Sequence, residues 1–141
     1  MRLVLDTNVV FSGTITTDGS SHRVLKACLS RGKGPQLVYS KPIYNEYERK
    51  LGEKGKDYGV SESDRIFFLR MIRERGKLVE PEENLRIVEE DPDDDKFFEC
   101  AVAGGAELIV SGDPHVLDVG KFGEIRCISP RKASEIIREN F

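Results

Sequence analysis

Met1-Arg2-Leu3-Val4-Leu5-Asp6-Thr7-Asn8-Val9-Val10 opens the chain. Leu3 to Leu5 is an uninterrupted apolar run, the pattern of a parallel strand buried on both faces, and it ends on an acid. The pattern returns at Leu108-Ile109-Val110, which runs into Ser111-Gly112-Asp113. In open parallel sheets, ligands bind beyond the carboxyl ends of the strands, so Asp6 and Asp113 belong to one edge of one sheet. Each also has an ordinary reading. Asp6-Thr7-Asn8 can form an Asx turn, and Asp113 can cap a helix opened by Pro114.

Working outward, strands and helices alternate along the whole length. Val9 to Phe11 continue apolar until Ser12-Gly13 and Thr17-Asp18-Gly19-Ser20 break the pattern. Ser20 or Ser21 caps a helix carrying Val24, Leu25, Cys28 and Leu29. Gln36 to Tyr39 reads as a strand, and Ser40-Lys41-Pro42 opens a helix to about Glu53 with Ile43, Tyr47 and Leu51 on one stripe. Ser61 caps a helix that Gly76 closes, and Leu78-Val79 is a brief strand. Asp93 or Asp94 begins a helix that ends at Gly104-Gly105. A short helix around His115 to Asp118, a strand at Ile125 to Ile128 and a helix from Pro130 complete the chain. This order predicts an α/β three-layer sandwich with a mostly parallel central sheet, one domain over residues 1–141.

Hydrophobic residues make up 38% and charged residues 33% of the chain, the composition of a soluble, rather polar protein. No apolar run reaches the ~18 residues that cross a membrane, and the start reads as a strand and not as a signal peptide. Cys28, Cys100 and Cys127 are odd in number and lack a C-x-x-C pair, so reduced thiols in a cytoplasmic protein are expected. The net charge of −3 hides a polarity along the chain. Ser20 to Asn45 holds Arg23, Lys26, Arg31, Lys33 and Lys41 without an acid. Glu80 to Asp95 gathers Glu80, Glu82, Glu83, Glu89, Glu90, Asp91, Asp93, Asp94 and Asp95 against Arg86 alone. Either run can be a plain solvated face. Together they also suit a phosphodiester-cutting enzyme, with acids for metal and cations for the phosphate backbone.

The helix that begins at Asp93-Asp94-Asp95 buries Phe97, Phe98 and Ala101. Asp94 precedes Phe97 and Phe98 by three and four residues and so points along that inward stripe. Asp95 is turned roughly 100° away. Favourable placement at the helix N-terminus explains Asp93 and Asp95 but gives no reason to aim Asp94 inward. In the earlier helix, Glu46 and Glu48 flank the apolar stripe on opposite sides, and the wheel prefers neither. Acids packed at buried strand ends and inward helix faces repel one another and lose hydration, so a divalent cation among them is the usual solution.

The Leu-Asp-Thr-Asn opening resembles the first motif of the PIN-domain nucleases, in particular their VapC-like toxin branch. Ser40-Lys41-Pro42-Ile43-Tyr44-Asn45-Glu46 resembles the second motif and selects Glu46 over Glu48. Asp91-Pro92-Asp93-Asp94-Asp95-Lys96-Phe97-Phe98-Glu99-Cys100-Ala101 looks like the third, and Ile109-Val110-Ser111-Gly112-Asp113 like the fourth. Many members carry an uncharged residue after the third acid where this chain has Asp95, which leaves the register between Asp94 and Asp95 open.

The resemblance implies a sheet of about five strands. It also implies one or two Mg²⁺ or Mn²⁺ ions held by Asp6, Glu46, Asp94 and Asp113 for hydrolysis of single-stranded RNA. Asn8 is expected to orient Asp6, and Ser111 to hydrogen-bond a carboxylate or phosphate oxygen. Arg23, Lys26 and Lys41 are the candidate RNA contacts, while His22 and His115 are expected to be surface or structural. The VapC likeness further implies a homodimer and neutralisation by a small cognate antitoxin protein. Two alternatives share the fold, a non-toxin RNA-processing nuclease and a catalytically silent RNA- or protein-binding module. A haloacid-dehalogenase-type phosphatase wants Asp-x-Asp, but Asn8 stands at its second acid. Neither G-x-G-x-x-G nor a P-loop is present for a nucleotide-binding domain.

Overall fold

Leu3 pairs with Leu108 and Leu5 with Val110 in parallel register, so the first strand (β1, Arg2–Leu5) and its neighbour (Leu108–Val110) end together. This is a computed structural model describing residues 1–141. After β1 come α1 (Thr7–Ile15), α2 (Ser20–Leu29), β2 (Gln36–Tyr39), α3 (Lys41–Lys54), α4 (Glu62–Arg75) and β3 (Lys77–Leu78). Then follow α5 (Asp95–Gly104), β4 (Leu108–Val110), α6 (Pro114–Val119), β5 (Lys121–Phe122), β6 (Ile125–Ile128) and α7 (Pro130–Asn140). Short 3₁₀ turns lie at Gly55–Tyr58 and Pro92–Asp94.

The sheet order is β3-β2-β1-β4-β6-β5, parallel throughout except that β5 runs antiparallel to β6. Five parallel strands and a mostly parallel α/β sandwich therefore agree with the expected class. The antiparallel β5 is an addition, turned back on β6 through Gly123, whose φ of 58° suits glycine. From β1 the chain goes on to β2 on one side, and from β4 it goes on to β6 on the other. The strand order thus reverses between β1 and β4, where such sheets open a crevice at their carboxyl ends.

A core of 33 buried hydrophobic residues runs from Leu3 to Ile137, and every strand of the sheet centre is buried on both faces. The stripe Ile43, Tyr47 and Leu51 of α3 is buried as its spacing predicts. Tyr47 is fully enclosed, and its hydroxyl donates to the Leu5 carbonyl at 2.5 Å, which ties α3 to the last residue of β1. All three cysteines are free and buried, with burial pushing Cys28 and Cys100 up to about 12 and Cys127 to about 11.

Two local readings needed the third dimension. Val9 to Phe11 lie in the helix α1, which the sequence pattern does not announce. Val9, Val10 and Phe11 are consecutive and all buried, so the apolar residues form a short run and not a helical spacing. The α2 helix starts from Gly19, with Ser20 as its first residue and no side-chain cap from either serine. Ser61, by contrast, accepts from the Asp64 N–H as a helix cap should. Ile87-Val88 lies in a loop, held by side-chain contacts described below.

Candidate metal centre

The end of β1 and the end of β4 are stitched together before any acid is considered. The Asp6 N–H donates to the Val110 carbonyl at 2.9 Å, and Ser111 donates its N–H to Ile128 on β6. Ser111 Oγ then donates to Asp6 Oδ2 at 2.5 Å and accepts from the Asp113 N–H at 3.0 Å. One buried hydroxyl therefore joins the first and fourth acids. Asp6 also accepts from the Asn8 N–H at 3.3 Å and caps α1, and Asp113 accepts from the His115 N–H at 2.9 Å and caps α6. The turn-and-cap readings of these two acids are realised, and both side chains line one cavity. The Asn8 contact comes from its backbone; its side chain is exposed at the mouth of the cleft.

Asp94 and Asp95 are equally buried, each 8% exposed, but they serve different ends. Asp95 Oδ1 accepts from the Ile87 N–H at 3.0 Å and the Val88 N–H at 2.8 Å, fastening the preceding loop to α5. Asp94 Oδ2 is buried without any hydrogen-bond partner. Carboxylate oxygens of Asp91, Asp94 and Asp113 lie within 4.8 Å of one another. Burial, followed by the charges of Asp6, Asp91 and Asp113 and a contact with the Asp113 carboxyl, pushes Asp94 up to about 8. Burial also raises Asp6, against the hydrogen bonds from Ser111 and Asn8 that lower it, with Asp113 and Glu46 raising it further.

Asp91 was not foreseen as a site residue. It precedes the 3₁₀ turn of Pro92–Asp94, and the Asp94 N–H donates to its carbonyl at 3.0 Å. That turn brings the Asp91 and Asp94 carboxylates within reach of one another. The one signal in the sequence was Pro92, which favours the start of such a turn.

Glu46 arrives from α3 and lines the cleft, while Glu48 is exposed on the other side of the stripe. Glu46 Oε1 accepts from Thr7 Oγ1 at 2.5 Å, and Oε2 pairs with the Lys96 ammonium. Lys96 also bonds Asp93 Oδ2 at 2.8 Å. Burial lowers the Lys96 pKa, yet the hydrogen bonds and charges of Asp93 and Glu46 outweigh it, and the net shift is upward. The Lys96 hydrogen bond holds Asp93 below the ordinary carboxylate range.

These side chains enclose a cavity of about 220 Å³ lined by Asp6, Asn8, Glu46, Asp91, Asp94 and Asp113, with Thr7, Asp93, Arg49 and Lys50 completing it. The expected basic contacts lie elsewhere. Arg23, on α2, donates to Ser134 and Ser20; Lys26 borders an apolar groove with Phe67 and Met71; Lys41 is the exposed first residue of α3. Arg49 and Lys50, one turn beyond Glu46, are the cations at the cleft. Neither histidine lines it. His22 Nδ1 meets the Gly13 carbonyl at 2.9 Å, and the His115 ring is 3.9 Å from Asp113.

A family model described as PIN domain matches residues 2–115, from the first residue of β1 to just past Asp113. The chain belongs to the PIN-domain family. No curated protein matches it. PIN domains are in general metal-dependent nucleases, and this one carries the carboxylate cluster that such chemistry uses. The donors also fit. The clustered oxygens of Asp91, Asp94 and Asp113 are all carboxylate, the ligand type of Mg²⁺ and Mn²⁺, one Asp94 oxygen is buried without a partner, and no thiol or imidazole lines the cavity to favour a softer ion. No helix of this PIN domain is long and apolar enough to cross a membrane.

Proposed function

We propose that this PIN domain is a Mg²⁺- or Mn²⁺-dependent endoribonuclease that hydrolyses phosphodiester bonds of single-stranded RNA. The observation that carries the reading is the buried, unpartnered Asp94 oxygen in a cleft lined by six acids at the strand-order reversal. Asp91, Asp94 and Asp113 would hold the cation, with Asp6 beside them. When bound, the cation supplies charge neutralisation and activation of water for in-line attack on phosphorus.

The protein's own groups set the stage for that chemistry. Ser111 fixes the spacing of Asp6 and Asp113, and Thr7 fixes Glu46. Arg49 and Lys50 at the cleft mouth attract the phosphate backbone without reading sequence, and an open, acid-lined cleft accepts an extended single strand more readily than a duplex. Arg23, Lys26 and Lys41 remain candidates for contacts farther along the strand. Purified protein should cut single-stranded RNA with Mn²⁺, and Asp6→Asn should abolish cutting while circular dichroism is unchanged. Equal cutting in excess EDTA, or by the Asp6→Asn protein, sinks the proposal.

The motif likeness to VapC-like proteins supports a toxin role, with a cognate antitoxin as partner and a homodimer as the working unit. Expression should then arrest growth, and the product of a small adjacent open reading frame should relieve it. Growth unaffected by an active nuclease points instead to an RNA-processing role for the same chemistry.

A further inference from the structure

The acids of the cleft fall into two groups that are neutralised differently. Glu46 has both oxygens engaged, one by Thr7 Oγ1 at 2.5 Å and the other by Lys96. The Lys96 side chain is only 13% exposed and is held from three sides, by Glu46, by Asp93 and by the Phe97 ring 5.5 Å away. It is a fixed cation in a fixed place. Asp91, Asp94 and Asp113 have no such partner, for no Lys or Arg pairs with any of them, and Asp94 Oδ2 is buried without a hydrogen bond.

We infer that the cleft takes a single divalent cation, on Asp91, Asp94 and Asp113, and that the Lys96 ammonium occupies the role of a second by neutralising Glu46. The inference rests on the metal-dependent reading above and specifies its stoichiometry and one ligand, Asp91. A second divalent ion at Glu46 would have to break a largely desolvated ion pair and sit against the displaced ammonium, and both steps cost free energy. At Asp94 a cation does the reverse, supplying the partner that the buried oxygen lacks. Lys96 is thus a positioning residue. It holds Glu46 against Thr7 and supplies fixed positive charge at Glu46 and Asp93.

Titration of the metal-stripped chain with MnCl₂, followed by calorimetry and by electron paramagnetic resonance of free Mn²⁺, tests this without reference to activity. The wild-type protein should bind one ion per chain. Lys96→Met should bind two, because the largely buried Glu46 then lacks its counter-ion, whereas Lys96→Arg should return to one. Asp91→Asn should keep one site but weaken it at least ~10-fold. Two sites in the wild type, or one site of unchanged affinity in Lys96→Met, overturns the substitution of lysine for metal. Wild-type affinity in Asp91→Asn removes Asp91 from the site. No binding by the folded wild type at all would instead overturn the metal-dependent reading itself. Thermal melts of each variant separate lost binding from lost fold.

Discussion

Asp94→Asn in metal-free protein should make the PIN domain more stable, and by an amount that depends on pH. Asp94 sits near 8 in the folded chain against an ordinary 3.8, with burial the largest cause and the neighbouring acids the next. An acid whose folded pKa lies above its unfolded value costs stability progressively as pH rises from the lower value to the higher. Below ~3.8 both states carry the proton and the cost vanishes. At pH 8 the interval corresponds, at ~1.4 kcal/mol per decade, to a ceiling of ~5 kcal/mol. Water entering the open cleft screens part of it, so ~2–3 kcal/mol is the expected gain for asparagine. At pH 4.5 the same arithmetic leaves less than ~1 kcal/mol.

Urea unfolding in EDTA at the two pH values measures both numbers, provided the m-value is common to the two proteins. Mn²⁺ should then reverse the order, stabilising the wild type by mass action while doing little for the variant. The reasoning is refuted if Asp94→Asn is no more stable than wild type at pH 8 in EDTA, or if its advantage is the same at pH 4.5. Either result would mean that Asp94 is adequately solvated or paired in the folded chain and has no need of a cation.

Three further outcomes are expected. Ser111→Ala removes the hydroxyl that bonds both Asp6 and the Asp113 N–H and should cost ~2 kcal/mol by urea unfolding, with Mn²⁺ affinity falling ~10-fold by calorimetry. Asp95→Ala strands the Ile87 and Val88 N–H groups and should cost ~2–3 kcal/mol. Its Mn²⁺ affinity should stay near wild type, and a loss as large as that of Asp94→Asn would exchange the roles of the two acids. Gly104→Ala would place a methyl 2.3 Å from Val38 Cγ1 on the buried β2 strand and should lower stability by ~1–3 kcal/mol. A melting temperature unchanged from wild type would show that the α5–β2 contact can relax.

Strand positions were legible because their signal is local. Leu3 to Leu5, Gln36 to Tyr39 and Leu108 to Val110 are apolar on both faces and bounded by breakers, and the structure has strands at each. Helix α1 was not legible, since its buried Val9, Val10 and Phe11 are consecutive and show no helical spacing. Asp6 and Asp113 could be placed at one edge by topology alone. The helix wheel aims Asp94 inward and Asp95 away, but both are buried, and only Asp95 is satisfied by backbone donors.

The alternation of elements and the acids at strand ends were thus written in the chain, because strand and helix periods repeat within a few residues. What closed the site was not. Glu46 and Lys96 are separated by 50 positions, Asp6 and Ser111 by 105, and no local pattern links such partners. Asp91 joined the cluster because the 3₁₀ turn that follows it folds Asp94 back within reach. Which acids stay unpartnered for a cation, and which are already answered by a lysine, a serine or a loop amide, is decided only when the packed sheet brings them within hydrogen-bond reach.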